Sequence, residues 1–189
     1  DPYYRIVLWL YSGLWHLIVM ATSFFICVSR SKVRFRYLWT ALSTWIIGGN
    51  ILPMIFMAAG PVFVERLTGS PRFSDLSDRL YAQADPEIAG SSLPDLLWKA
   101  YETGQPFFGS GISAFPSLHL ALSTLFFLAA RHYGRWIGGA ALAYLIFTLV
   151  GSVHLGWHYA VDGYASIALV TGLWAFYGWV EAKQKPLTQ

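Results

Sequence analysis

Ala114-Phe115-Pro116-Ser117-Leu118-His119 and His154-Leu155-Gly156-Trp157-His158-Tyr159-Ala160-Val161-Asp162 are two short polar stretches set in apolar sequence. Histidines and a carboxylate beside long hydrophobic runs are costly unless they are used or well paired, so such residues mark an intramembrane site by default. Outward from these stretches, the rest of the chain reads as a scaffold that brings His119 to His158.

Composition agrees with a membrane setting. Of 189 residues, 56% are hydrophobic, 17% aromatic and only 12% charged, and the mean hydropathy is +0.47, well outside the usual range of a soluble domain. The expectation is one membrane-embedded domain over residues 1–189. The formal charge of +3 does not point to nucleic acid, because the basic residues sit at the ends of apolar runs, where they set topology. Cys27 is the single cysteine; it cannot form an intrachain disulfide and reads as a small packing residue.

A spanning helix needs about 20 mostly apolar residues, and five segments reach or approach that length, at about 6–28, 37–59, 117–130, 136–153 and 159–180. The first lacks a basic leader and a small-residue cleavage site, so it reads as a span and not as a cleavable signal. Because Asp1-Pro2-Tyr3 opens the chain so close to it, the start reads as the interior of a longer protein. His16 within this segment is expected to hydrogen-bond between helices. In the second, Gly48, Gly49, Asn50 and Pro53 are tolerated where neighbouring helices satisfy the backbone, which predicts a buried Asn50. Arg30, Lys32, Arg34 and Arg36 fill the loop after the first segment, Arg131 and Arg135 follow the third, and Lys183 and Lys185 follow the fifth. By the positive-inside rule these ends are cytoplasmic, so both polar motifs face the non-cytoplasmic side. The polar stretch 62–112 lies over them, with short helices predicted at 73–84, N-capped by Ser74, and at 93–101, with Pro94 in the first turn. These helices either lie on the bilayer or cap the domain.

On a helix, His158 and Asp162 stand at i and i+4 on one face. A carboxylate so placed can accept the proton of one ring nitrogen, fix the tautomer, and leave the other nitrogen free as nucleophile or base. A helix starting at Pro116 would aim free N–H groups around Ser117, Leu118 and His119 into the site, forming an anion pocket suited to phosphate. Gly109, Gly111 and Ser113 would shape its approach. His119, His154, His158 and Asp162 are also zinc-ligand types, but Gly156 interrupts the His154–His158 spacing, and neither a metal nor a cofactor is expected. Gly111-Ile112-Ser113-Ala114 loosely resembles the nucleophilic serine loop of an intramembrane protease, and a non-enzymatic bundle with buried hydrogen-bonding histidines is the bland alternative. Trp157 and Tyr159 read as interfacial aromatics, and Tyr164 and Ser166 as interhelical contacts.

Pro116-Ser117-Leu118-His119 followed by His158-Tyr159-Ala160-Val161-Asp162 resembles the second and third signature motifs of the type 2 phosphatidic acid phosphatase superfamily of lipid phosphatases and phosphotransferases. The resemblance covers roughly residues 37–181. It implies an all-helical polytopic bundle, five helices of a six-helix core with the first missing, plus short surface helices in one long loop. It further implies that His158 attacks phosphorus to form a phosphohistidine, that Asp162 orients and charge-balances it, and that His119 protonates the leaving oxygen. Those roles need His158 neutral and His119 cationic at the outset. Ser113, Ser117, Leu118 and His154 are the expected substrate-binding residues. Phosphatases of the superfamily carry an Arg-Pro in the first motif and an arginine six residues before the nucleophilic histidine, where this chain has Gly60-Pro61 and Ser152. It is similar instead to the inositol phosphorylceramide synthase branch, which Gly111 to His119 closely matches. A site with fewer fixed cations suits a phosphodiester better than a phosphomonoester. The resemblance therefore implies transfer of a phosphoryl-linked head group from a phospholipid to a lipid alcohol. Hydrolysis of a lipid phosphate by water is the alternative, and Arg66, Arg72 or Lys99 could supply charge from the long loop.

Overall fold

Apolar runs in a bilayer fold as helices because no other open segment satisfies its own backbone. In the computed structural model, which describes residues 2–83, 93–105 and 111–184, α1 runs over Pro2–Val28 and α2 over Arg34–Phe56. Short helices α3 (Val64–Thr68), α4 (Ser74–Gln83) and α5 (Leu93–Thr103) follow. The chain ends in α6 (Leu118–Ala130), α7 (Arg135–His154) and α8 (Ala160–Gln184). Ala84, Gly109 and Lys185, each part of an expectation above, lie outside the described residues.

Four helices, α1, α2, α7 and α8, are long and apolar enough to cross a membrane. The fifth expected span, α6, has 13 residues, which at 1.5 Å per residue is ~20 Å, against a hydrocarbon core of ~30 Å. It packs against α8, α7, α1 and α2, and its residues from Leu120 to Leu125 are all buried. Surrounded by protein, it does not need to match the bilayer thickness. Leu122, Leu125 and Leu128 of α6 form the main core with Trp15 and Ile26 of α1, Tyr37 of α2, and Val170 and Trp174 of α8. Met20, Met54 and Trp136, 71%, 77% and 78% exposed, belong to the apolar surface that lipid would cover.

The polar stretch is a cap. Val62 and Phe63, in a 3-10 turn, join Leu80 of α4 and Leu97 of α5 in a second core with Tyr4, Val7 and Tyr11 of α1 and Leu155 after α7. At the other end of the bundle the three basic segments meet: Ser31 and Tyr133 share a hydroxyl bond of 2.5 Å, and Arg36 pairs with Glu181 at 3.4 Å.

Several local expectations are corrected. Asn50 is exposed, and its amide donates to the Trp45 carbonyl of its own helix at 2.8 Å. This serves a π-helical stretch over Thr44–Ile51, where the ordinary i to i−4 pattern is displaced. His16 likewise turns to its own helix, bonding the Ser12 carbonyl at 2.6 Å, and Cys27 is exposed. Ser74 does not cap α4: a preceding 3-10 turn lets its hydroxyl donate to Pro71 O at 2.9 Å. Tyr164 is exposed, whereas buried Ser166 donates to Asp162 O of α8 itself at 2.7 Å.

The helix bundle depends on α6 packing more than on its outer apolar surface. Leu125→Ala, at 1% exposure, is expected to cost ~2 kcal/mol or more of stability, measured as the unfolding temperature in detergent, whereas Met20→Ala leaves it nearly unchanged.

Candidate active site

Three non-helical segments cross at the capped end. Residues 58–60 follow α2, residues 113–116 precede α6, and residues 155–158 join α7 to α8. Ala59 and Ser113 form an antiparallel bridge, Ala114 N donates to Ala58 O at 2.5 Å, and Val62 N to Gly156 O at 3.0 Å. Gly60 lies directly on the third segment, since a Cβ built there would fall 2.2 Å from the Trp157 carbonyl oxygen. At the position where the resemblance leads one to look for arginine, no side chain fits.

His158 is held in the linker and not on α8, which corrects the expected helical i, i+4 pair. The reason lies in how one helix stops and the next starts. Gly156, at φ +67°, ends α7 in a Schellman motif: Trp157 N donates to Ser152 O and Gly156 N to Val153 O, both at 3.1 Å. Gly156 therefore closes the preceding helix and does not open the next. Tyr159 caps α8, and Asp162, three residues on, accepts the Tyr159 N–H at 2.8 Å, the acidic half of a capping box. Between these two devices the His158 ring turns toward the second segment. Its Nδ1 donates to Ala114 O at 2.7 Å. A carbonyl only accepts, so Nδ1 carries a proton in this bond, and in the neutral ring the lone pair is then on Nε2. Asp162, 2% exposed, stands 3.8 Å from Nδ1, too far for a hydrogen bond, so the carbonyl is the partner that orients the ring. Ser152, at the other expected arginine position, is fully buried, and its carbonyl also receives His158 N at 3.3 Å.

Ser117 is the N-cap of α6, its Oγ accepting Leu120 N at 3.4 Å. The helix thus begins at Leu118, after Pro116 and not at it. The first-turn N–H groups of Leu118 and His119 have no carbonyl within the helix to meet, as at any helix start. The Leu118 side chain packs against Gly49 of α2. His119 meets two α1 aromatics, stacked on Tyr11 at 4.5 Å and 16° and tilted against Trp15 at 4.3 Å and 34°. Trp15 Nε1 also donates to His119 O at 3.1 Å. His158 lies within electrostatic reach of His119. Among the described residues, Tyr11 hydroxyl, Ser113 Oγ and His119 Nε2 are buried without a hydrogen-bond partner. Buried polar atoms left unpaired are unusual, and those of Tyr11 and His119 belong to rings stacked on each other.

Tyr11 and Trp15 were not foreseen as site residues. Their i, i+4 spacing is visible in the sequence, but nothing local ties them to a histidine over a hundred positions away. A π-helical turn at Trp9–Gly13 carries Tyr11, a departure common at functional sites. His154 does not join the site. It is exposed at the end of α7, edge-on to Tyr3 at 6.0 Å. Among the described residues no three His, Cys, Asp or Glu side chains converge as metal ligands. Trp157 lies 6.4 Å from the Tyr11 ring, and Tyr159 meets Phe73 of the cap edge-on at 6.0 Å. Burial and then the Asp162 charge push the Tyr159 phenol above its ordinary value, opposed by Arg72. Arg66 is paired with Asp95 at 2.5 Å, and Lys99 is exposed.

The crossing makes a direct prediction. Gly60→Ala must shift the Trp157 backbone and is expected to lower stability by ~1–3 kcal/mol and to reduce turnover. Gly111→Ala, with nothing within 4 Å of its Cβ, leaves both unchanged; melting in detergent checks the pair.

Comparison with known proteins adds one match. No curated protein and no solved structure matches the chain. A family model described as the PAP2 superfamily matches residues 2–176, including both polar motifs and the α1 aromatics. The chain belongs to the PAP2 superfamily, that of the type 2 phosphatidic acid phosphatases.

Proposed function

We propose that the protein is an integral-membrane phosphotransferase that moves a phosphoryl-linked head group from a phospholipid to a lipid alcohol through a phosphohistidine on His158. Membership of the superfamily supports lipid phosphatase or phosphotransferase chemistry. The observation that supports a nucleophilic His158 is the bond of its Nδ1 to Ala114 O at 2.7 Å, since in the neutral ring the lone pair is then on Nε2.

In the first step the Nε2 lone pair forms a bond to phosphorus as the bond from phosphorus to the leaving oxygen breaks. His119 gives its Nε2 proton to that oxygen. The imidazole becomes cationic as it is phosphorylated, and Asp162 at 3.8 Å offsets this charge. In the second step the acceptor oxygen attacks phosphorus, His119 takes back its proton, and the bond to Nε2 breaks. First-turn N–H groups of α6 and the hydroxyls of Ser113 and Tyr11 are the donors proposed for the phosphoryl oxygens. Neutral donors, with glycine and serine at positions 60 and 152, suit the single negative charge of a phosphodiester. The three basic segments lie at the opposite end of the bundle, which favours a site opening on the non-cytoplasmic side. The serine-protease alternative receives no support, since Ser113 Oγ is without a hydrogen-bond partner among the described residues.

Incubating the purified protein with labelled phospholipid, with and without a lipid alcohol, separates the two outcomes. Transfer yields a new phospholipid and released diacylglycerol only with the alcohol; free phosphate from a monoester would instead establish hydrolysis. His158→Ala and His119→Ala are each expected to reduce turnover by 10³-fold or more, on the order of a lost nucleophile or acid. Asp162→Asn keeps an acceptor for the Tyr159 N–H and removes only charge, so its loss of turnover at unchanged melting temperature isolates the electrostatic role. Tyr11→Phe keeps the stack on His119 and removes one donor; it is expected to lower kcat/KM roughly tenfold with the fold intact.

A further inference from the structure

The end of the bundle away from His158 contains an open cavity of about 420 Å³. Lys32 and Arg34 line it with Phe35, Leu38 and Trp39, together with Ser31 and Glu181. Two of these groups are already engaged: Ser31 with the Tyr133 hydroxyl, and Glu181 with Arg36 at 3.4 Å. Arg36 is further fixed over the Trp174 ring at 5.3 Å, so the one carboxylate in the lining has its own cation. Lys32 and Arg34 are exposed and supply the excess positive charge. The apolar side of the cavity is also open, Leu38 being 37% and Trp39 46% exposed, with Trp39 stacked on Tyr177 at 6.1 Å.

Charge alone at this end is accounted for by topology. A cavity that joins two cations to an open aromatic and aliphatic wall, at the level where a spanning helix enters the bilayer, has the two-part chemistry of an amphiphile with an anionic head. An inorganic anion would use the cations and leave the wall uncovered, and a zwitterionic lipid would use the wall and bring its own cation to Lys32 and Arg34. We propose that this cavity binds one anionic phospholipid, its phosphate between Lys32 and Arg34 and an acyl chain along Leu38 and Trp39. The site is independent of the catalytic reading, because none of its residues belongs to the crossing around His158.

Trp39 reports on its own occupant. The full chain is placed in phosphatidylcholine vesicles containing a minor fraction of acyl-brominated lipid, either phosphatidylglycerol or phosphatidylcholine, at equal bromine content. The Trp39 contribution is the difference between the protein and Trp39→Phe. Brominated phosphatidylglycerol is expected to quench that contribution more strongly, and Lys32→Gln with Arg34→Gln to abolish the excess, each cation contributing roughly fivefold to local enrichment. Both side chains are exposed, and an unchanged circular dichroism spectrum confirms that the double variant is folded. Equal quenching by the two lipids, or an excess that survives the double variant, overturns the proposal. Loss of the excess on adding inorganic phosphate, but not chloride at the same ionic strength, would mark an ion site and overturns it as well.

Discussion

The hydrogen bond from His158 Nδ1 to the Ala114 carbonyl at 2.7 Å is the contact on which the site depends. It joins the linker between the last two helices to the segment that enters α6. That segment is held in turn by Ala58 through Ala114 N, and Gly60 lets the first segment lie against the Trp157 backbone. Each of the three segments is too short to be regular structure by itself. Together they satisfy one another's backbone groups at the membrane boundary, where an unpaired peptide group is costly. The ring nitrogen is thus oriented by a backbone position, which no side-chain substitution at 114 can remove.

The second dependence is on α1. Tyr11 stacks on His119 and Trp15 packs tilted against it, and the Trp15 indole also bonds the His119 carbonyl. The His119 Nε2 is buried without a hydrogen-bond partner among the described residues, and the same helix brings the Tyr11 hydroxyl to Ser117. The cap contributes by excluding solvent. Leu76 and Leu80 of α4 lie against Gly156, the residue whose left-handed turn releases the chain from α7. Stopping a helix, starting the next and covering the joint are therefore coupled around His158.

Much of this was legible. The histidines and Asp162 stood out because polar groups in apolar runs need a reason, and the basic segments predicted that both motifs share one end. Helix boundaries were less legible. Pro116 reads as a first-turn residue, but Ser117 is the better cap, so the start moves to Leu118. The spacing of His158 and Asp162 reads as a helical pair, yet Asp162 is spent on capping α8 and the pair meets at 3.8 Å without a hydrogen bond. The carbonyl that takes its place could not be read, because every residue has one. Tyr11 was hidden for a related reason: stacking across sequence leaves no local pattern. Asn50 failed as a buried polar group because the π-helical stretch offered it a partner in its own helix.

The account's central claim is that His158 carries the phosphoryl group covalently through Nε2. Rapid mixing of the purified protein with a phosphorus-labelled lipid substrate, quenched in alkali and analysed by peptide mass spectrometry, tests it most directly. The account predicts an acid-labile, alkali-stable label on the peptide containing His158, absent from His158→Ala and discharged by acceptor. Turnover proceeding in folded His158→Ala, or a label that maps to Ser113 or His119, would contradict it.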